Sequence, residues 1–279
     1  MQTQMRGQSR GRNLPLLSSI IQVKKTRTDR EPHIHEIMVD KIKNHHRFFA
    51  PIENVQPVLL KSGKDETTTE YVRATRREIG AQTLEERIED LAKKLPSSVS
   101  EKVEDYYEHI VEGLSKLKDA QIVHFNIQPN NILYSDSEYC PIITDFGHAF
   151  LYKDETVGTI FCKPHPPNRC IEAICIATIV EDYAEWKTNK VNITKLEEVI
   201  TQHFTSEEEE EEEATEWKTY IRKKFAKKEG DQVVNELMKN WHTWDLYSVN
   251  RIFMRFKRNI PIIKKQHNPG APYEKLVFG

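Results

Sequence analysis

Residues 122–150 read IVHFNIQPNNILYSDSEYCPIITDFGHAF and form the most informative segment of the chain. Two apolar pairs, Ile132–Leu133 and Ile142–Ile143, predict a short β-hairpin in its middle. Asn131 precedes this hairpin and Asp145 follows it. The segment therefore predicts two neighbouring loops, one with a side-chain amide oxygen and the other with a carboxylate.

The segment resembles the catalytic and metal-binding loops of the protein kinase superfamily. His124 to Asn131, HFNIQPNN, lies where the superfamily has H-R-D-L-x-x-x-N, and Asp145 to Gly147 repeats its D-F-G motif. The resemblance implies a kinase fold with an ATP- and Mg²⁺-dependent activity, in which Asp145 and Asn131 bind the metal. Mg²⁺ prefers hard oxygen ligands, which a carboxylate and an amide can supply.

The chain departs from the superfamily pattern at the position of the catalytic aspartate, where it has Asn126. A carboxamide is not a useful base near neutral pH, and general-base assistance is typically worth about 10²–10⁴-fold. Positioning and metal electrostatics dominate phosphoryl transfer, so Asn126 could still orient a substrate hydroxyl. Gln128 replaces a lysine that contacts phosphate in serine/threonine kinases. These changes predict a slow enzyme or an inactive one.

The run from Ile21 to Lys24, IQVK, resembles the kinase strand whose lysine contacts the ATP phosphates and pairs with a helix glutamate. The resemblance selects Lys24, with Lys25 as the alternative, and Glu36 as the glutamate. Both lysines could also be solvated, and Glu36 could be an ordinary exposed acid. Gly7 and Gly11 are the only glycines that precede the strand, a pattern more typical of a flexible basic tail than of a phosphate-covering loop.

The run from Trp244 to Val249, WDLYSV, resembles the start of the kinase helix that holds an aspartate beneath the catalytic loop. The resemblance predicts that Asp245 accepts backbone hydrogen bonds around His124, which it helps to hold in place. A buried acid needs such partners to offset its lost hydration. The alternative is an exposed aspartate that caps the beginning of the helix.

The order of patterns along the chain, strand-rich first and helix-rich afterwards, is that of a two-lobed kinase. It predicts an α+β fold with a small β-rich N-lobe and a helical C-lobe. The expected divisions are a flexible tail (1–13), the N-lobe (14–80) and the C-lobe (81–279), with a helical insertion at about 168–240.

Composition limits the class of protein. Of the 279 residues, 38% are hydrophobic and 30% charged, which is enough for a core, and the formal net charge is −2. This charge favours neither nucleic acid nor an anionic membrane. The protein substrate or partner that we expect is what the resemblance to protein kinases implies. Four cysteines, a polar N-terminus and apolar runs far shorter than the roughly 20 residues of a membrane span predict a cytoplasmic protein.

Three other groups of residues have more than one interpretation. Cys162, His165, Cys170 and Cys175 lack the paired spacing of zinc sites, which favours loop and core packing over a metal site. The seven glutamates at 207–213 favour a solvated, mobile loop over a site for a basic partner. The basic stretch at 222–228 favours salt bridges with nearby acids over contact with nucleic acid.

Three functional hypotheses follow. The first is a serine/threonine protein kinase of weak activity, and the second is an inactive pseudokinase that serves as a binding or scaffold module. The third is a phosphotransferase that acts on a small molecule. The resemblance is strongest to reduced, divergent serine/threonine kinase-like proteins of large DNA viruses, whose location would be the host cytoplasm or the virion.

Overall fold

The computed structural model describes residues 20–24, 30–50, 52–61, 67–75, 82–136, 138–152, 156–161, 169–182, 185–204 and 208–260. In the strands before residue 76 the backbone alone is described. Several residues considered above lie outside the described part of the chain: Gly7, Gly11, Lys25, Cys162 and His165.

The N-terminal part contains a three-stranded antiparallel sheet with the order β1-β3-β2. Its strands are β1 (Ile20–Lys24), β2 (Ile52–Lys61) and β3 (Thr67–Thr75). Helix α1 (Arg30–Lys41) lies between β1 and β2 in the sequence and buries Ile34, Met38 and Ile42, which are spaced four residues apart on one face.

Residues 48–50 form a loop packed against the large lobe. The backbone N–H of Ala50 donates to the carbonyl of Ile143 at 2.9 Å, and that of Ile143 donates to Phe48 at 2.8 Å. Phe48 and Phe49 are buried. The loop therefore joins the N-terminal sheet to the segment that resembles the kinase loops.

Two helices begin the large lobe, α2 (Leu84–Lys94) and α3 (Val99–Asp119). Thr83 and Glu86 form a capping box at the start of α2, in which each side chain accepts a hydrogen bond from the backbone of the other. The α2 helix ends before Pro96, which cannot continue a helical hydrogen-bond ladder. Apolar side chains at helical spacing bury one face of α3.

Four short strands carry the candidate loops. Strands β4 (Ile122–Val123) and β7 (Phe150–Leu151) pair with each other, and β5 (Ile132–Ser135) pairs with β6 (Cys140–Ile143). In the β5–β6 pair, Ile132 lies opposite Ile143 and Leu133 opposite Ile142. The hairpin therefore forms where the sequence predicts it and holds Asn131 and Asp145 at its two ends.

The remaining helices before the C-terminal one are α4 (Val157–Phe161), α5 (Ile171–Asp182), α6 (Ile193–His203), α7 (Glu208–Phe225) and α8 (Gly230–Met238). The expected insertion at 168–240 thus contains α5 to α8. Cys170 and Cys175 are buried free thiols, and among the described residues no three His, Cys, Asp or Glu side chains are placed to hold a metal ion.

The expectation of an acidic loop is wrong for Glu208–Glu213, which form the first turns of α7. Glutamate is a good helix former, and acids near a helix N-terminus interact favourably with its dipole. Glu213 is buried, accepts a hydrogen bond from the Tyr247 hydroxyl at 3.3 Å and lies 3.8 Å from Arg251. On the same helix Arg222 pairs with Glu197, and Lys224 pairs with Glu236 at 2.7 Å.

Helix α9 (Trp244–Asn259) contributes to two hydrophobic cores. The α3 core includes the buried apolar side chains of α1, α2 and α3, Phe49, Phe146 and four residues of α9: Val249, Ile252, Phe253 and Phe256. The α5 core includes the buried apolar side chains of α4 to α8 together with Phe125, Phe150, Trp244 and Tyr247. The architecture is therefore α+β, as predicted. None of the described helices has the combined length and apolar character needed to span a bilayer.

Candidate active site

Asp245 at the start of α9 holds the backbone of the candidate catalytic loop. Its Oδ2 accepts the N–H of His124 at 2.7 Å, and its Oδ1 accepts the N–H of Phe125 at 2.8 Å. The structure therefore contains the contact that the sequence predicts for Asp245. Burial outweighs these two hydrogen bonds and raises the pKa of the Asp245 carboxyl to about 6.

The His124 side chain links the two candidate loops. Its Nε2 lies 2.9 Å from the carbonyl oxygen of Thr144, and its Nδ1 lies 3.2 Å from the backbone N–H of Asn126. A carbonyl can only accept, so Nε2 carries the hydrogen and Nδ1 is the acceptor. The ring also packs edge-on against Phe146, with centroids 4.6 Å apart. His124 therefore connects the catalytic loop with the D-F-G segment.

Phe125 anchors the same loop on its other side. It has a left-handed backbone (φ 64°), which is uncommon for a bulky residue and costs on the order of 1–3 kcal/mol. Its buried ring contacts Phe150, Phe161 and Trp244, with centroid separations of 5.1–5.7 Å. These contacts, together with the N–H bond to Asp245, stabilise the strained conformation.

Arg169 covers the remaining face of the Phe125 ring, with its guanidinium carbon 3.7 Å from the ring centroid. Arg169 is buried, and burial lowers the pKa of its guanidinium to about 9, so the side chain remains charged at neutral pH. A desolvated cation–π contact of this kind is worth about 2 kcal/mol. Sequence reasoning missed the contact between Phe125 and Arg169 because the two residues are far apart in the chain. Neither of them matches a residue of the kinase motif.

Asn126, Asn131 and Asp145 form one hydrogen-bonded group. The Nδ2 of Asn126 donates to Oδ2 of Asp145 at 3.1 Å, and the Nδ2 of Asn131 donates to the backbone carbonyl of Asn126 at 2.9 Å. The backbone N–H and the hydroxyl of Thr144 both donate to the carbonyl of Asn131, at 2.8 and 3.1 Å. The structure thus brings both predicted metal ligands to the same place.

The orientation of the two amides follows from their partners. A carboxylate and a carbonyl can only accept, so the nitrogen of each amide must face its partner. The Oδ1 atom of Asn131 is therefore the amide atom that does not face the Asn126 carbonyl, and it and the Asp145 carboxylate are the candidate metal-binding oxygens. These hard oxygen atoms fit Mg²⁺, which usually takes one or two protein ligands and completes its shell with water and phosphate.

The predicted phosphate-binding pair is only partly described. Lys24 is the last residue of β1 and lies opposite Tyr71 of β3, while its side chain lies outside what the structure describes. The Glu36 side chain is 79% exposed and lies 4.0 Å from His33. Glu31, one and a half turns earlier on α1, is buried. The pairing of Lys24 with Glu36 stays a prediction, and Glu31 is a second acid on this helix.

Gln128 begins the tight turn that carries Asn131. Its backbone carbonyl accepts the N–H of Asn131 at 2.9 Å, and Pro129 occupies the first position of the turn. Asp145 also has a left-handed backbone (φ 66°), as does Phe125 on the facing loop. Non-glycine residues in this region cluster at functional sites, which supports the choice of this group as the candidate active site.

Comparisons with known proteins give a short sequence match. No protein-family model matches the chain. Serine/threonine-protein kinase chk-1 of Caenorhabditis briggsae is 42% identical over 50 residues, which span 18% of this chain and 10% of that protein.

A solved structure, that of the Legionella pneumophila LegK7 effector kinase, is similar to this chain at 17% sequence identity with a TM-score of 0.41. The alignment covers 56% of this chain and 32% of that one. A similarity of this size leaves the activity open. With the loop geometry described above and the 50-residue match to a serine/threonine kinase, the α+β fold of this chain is kinase-like.

Proposed function

We propose that the chain is a kinase-like phosphotransferase that binds Mg·ATP and slowly phosphorylates serine or threonine hydroxyls of a protein. The observation that carries this proposal is the hydrogen-bonded group of Asn126, Asn131 and Asp145, in which amide and carboxylate oxygens lie on two facing loops. The finer placement, a cytoplasmic protein of the type found in large DNA viruses, belongs to the same proposal.

Each residue has a separate role in the proposal. Asn131 and Asp145 would hold Mg²⁺, and Lys24 would contact the ATP phosphates. When bound, Mg·ATP supplies the phosphoryl group and neutralises charge on the phosphates. Asn126 turns its nitrogen to Asp145, so its Oδ1 is the atom that could accept a hydrogen bond from the substrate hydroxyl. It orients this hydroxyl without removing its proton.

The second candidate function is that of a pseudokinase, a binding or scaffold module. The contact between Asn126 and Asp145 favours it, because the residue at the catalytic position donates a hydrogen bond to the candidate metal ligand. An amide in this position offers no base. Both candidates share nucleotide binding, and they differ in phosphate transfer.

Mg·ATP binding can be tested by thermal unfolding of the natural chain and of Asp145→Asn. Mg·ATP should raise the melting temperature of the natural chain and should have little effect on Asp145→Asn. Asp136→Asn is the matched control, because Asp136 is an exposed aspartate in the turn of the same hairpin. An equal response of all three proteins to Mg·ATP would exclude the proposed metal site.

Transfer of radiolabelled phosphate from ATP to casein should be slow for the natural chain and at least about tenfold faster for Asn126→Asp, since a restored base is worth about 10²–10⁴-fold. Binding without transfer by the natural chain would support the pseudokinase. Transfer to a small metabolite, but not to proteins, would overturn protein specificity.

The acid that positions Lys24 can be identified by comparing Glu31→Gln with Glu36→Gln. Burial favours Glu31, whereas the resemblance favours Glu36. The variant that weakens Mg·ATP binding as strongly as Lys24→Met identifies the partner. If neither variant does so, Lys24 acts without an acid from α1.

A further inference from the structure

Asn126, which lies where the superfamily has its catalytic aspartate, contacts Asp145 directly. The Asn126 amide is buried (5% exposed) and donates directly to the Asp145 carboxylate at 3.1 Å. A hydrogen bond from an amide to an ionised carboxylate is stronger than one between neutral groups. The carboxylate therefore has a stabilising partner in a chain without bound metal.

The backbone of Asn126 is fixed on both sides of its side chain. Its N–H donates to Nδ1 of His124 at 3.2 Å, and its carbonyl accepts from Nδ2 of Asn131 at 2.9 Å. His124 is in turn attached to Thr144, the residue before Asp145. The amide is thus held toward Asp145 by a preformed frame, and both candidate metal ligands contact Asn126.

We propose that Asn126 is a positioning residue whose amide takes the place of a divalent cation as the partner of Asp145. The bond keeps the site ordered without metal and competes with Mg²⁺ or Mn²⁺ for the same carboxylate oxygen. The competition with metal rests on the proposed function, because it requires Asp145 to be a metal ligand. The role of the bond in ordering the site without metal does not rest on the proposed function.

An aspartate at this position would behave in the opposite way. It would place a second carboxylate at about hydrogen-bond distance from Asp145, where two like charges repel. A bound cation, or a proton on one of the two carboxylates, would relieve this repulsion. Asn126→Asp should therefore convert a site that is stable without metal into one that depends on metal, whereas Asn126→Ala removes the amide without adding charge.

The first experiment measures thermal unfolding in EDTA for the natural chain, Asn126→Ala, Asn126→Asp and Asn130→Asp. Asn130 is an exposed neighbour in the same loop, so Asn130→Asp adds the same charge without a contact to Asp145. We expect Asn126→Asp to melt at least about 3 °C below Asn130→Asp, and Asn126→Ala to melt between the two. Equal melting of Asn126→Asp and Asn130→Asp would overturn the inference.

The second experiment measures Mn²⁺ and Mg²⁺ binding by isothermal titration in the same four proteins. Removal of the competing amide should tighten binding about tenfold in Asn126→Ala, and the added charge should tighten it further in Asn126→Asp. Asn130→Asp should bind as the natural chain does. The melting temperature of Asn126→Asp should also recover when Mg²⁺ is added.

The two proposals fail in different ways. If the natural chain binds metal and Asn126→Ala binds it no more tightly, the amide does not compete, and this half of the inference is wrong while the proposed function stands. If Mg·ATP stabilises neither the natural chain nor any variant, and none of them binds Mg²⁺ or Mn²⁺, but Asn126→Asp is still destabilised in EDTA, the proposed function fails and the metal-free role of Asn126 stands.

Discussion

The two hydrophobic cores hold the candidate catalytic loop from opposite sides. His124 packs against Phe146 of the α3 core, whereas the next residue, Phe125, inserts its ring into the α5 core. Asp245 bonds the backbone N–H of both residues. The loop therefore contacts both hydrophobic cores. Its geometry depends on residues of either core as well as on the motif itself.

Loss of the Asp245 carboxylate should have the largest effect, because it leaves two loop N–H groups without acceptors at the joint of the two cores. We expect Asp245→Ala to lower the free energy of unfolding by about 3–5 kcal/mol, measured by urea denaturation. Asp105→Ala is the control, since Asp105 makes an exposed ion pair with Lys102 that is worth less than about 1 kcal/mol. Similar losses in both variants would contradict a structural role for Asp245.

Glycine substitutions compare how tightly each core is packed. A Cβ at Gly230, at the start of α8, would collide with the backbone carbonyl of Trp186, so Gly230→Ala should cost about 2–3 kcal/mol. A Cβ at Gly113 of α3 would meet the Phe48 side chain at 3.2 Å, which can shift, so about 1 kcal/mol is expected.

Gly158 of α4 is the control for both glycine variants, because a Cβ there has nothing within 4 Å. Gly158→Ala should be neutral or stabilise the chain by about 0.5 kcal/mol, as alanine favours a helix over glycine. Chemical denaturation of the three variants gives the order. If Gly230→Ala is as stable as Gly158→Ala, the start of α8 can shift away from the Trp186 carbonyl, and the expected collision does not occur.

Phe125→Leu and Phe253→Leu remove one aromatic ring from each core. Phe253 lies on α9 and packs against Tyr107 in the α3 core, with centroids 5.2 Å apart. Each variant should lose about 1–2 kcal/mol of stability. Phe125→Leu should in addition weaken the thermal shift caused by Mg·ATP, because Phe125 positions the loop. An equal loss of nucleotide binding in both variants would remove this distinction.

The smallest expected effect is a pH dependence at the edge of the α3 core. His109 stacks on Phe48 at 4.7 Å and donates to the carbonyl of Arg47 at 3.0 Å, and burial lowers the pKa of His109. The folded state therefore favours the neutral ring, and stability should fall by less than about 1 kcal/mol as the pH decreases below about 6.5.

His109→Gln should reduce this loss in unfolding experiments between pH 7 and pH 5. His33→Gln provides the comparison, because the His33 side chain is 62% exposed on α1. A larger change in His33→Gln than in His109→Gln would assign the acid sensitivity to another part of the chain.

Local patterns predict much of this molecule. The β5–β6 hairpin and the capped helix α2 arise from short-range signals: two apolar pairs separated by a polar turn, and a Thr83–Glu86 capping box. The contact of Asp245 with the loop came from family resemblance, since no short-range pattern connects residues so far apart in the chain. The motif therefore located the candidate site, and the hairpin holds the two candidate oxygen ligands at its ends.

Long-range packing explains where sequence reasoning falls short. The acidic run was expected to be a loop because runs of like charge are usually solvated, yet Glu213 is buried against Tyr247 and Arg251 of a distant helix. The choice of Glu36 on α1 came from the resemblance alone. Helical spacing places Glu31 on the same face as Ile34 and Met38, and in the folded chain Glu31 is buried whereas Glu36 is exposed.

The left-handed backbone of Phe125 has a consequence for how this position can vary. Glycine would relieve the backbone strain but would empty the aromatic pocket and uncover Arg169. An apolar residue larger than glycine would fill part of the pocket but would retain the strain of the left-handed backbone. Because no natural amino acid satisfies both demands, the position is a compromise between backbone strain and packing against Trp244 and Phe161.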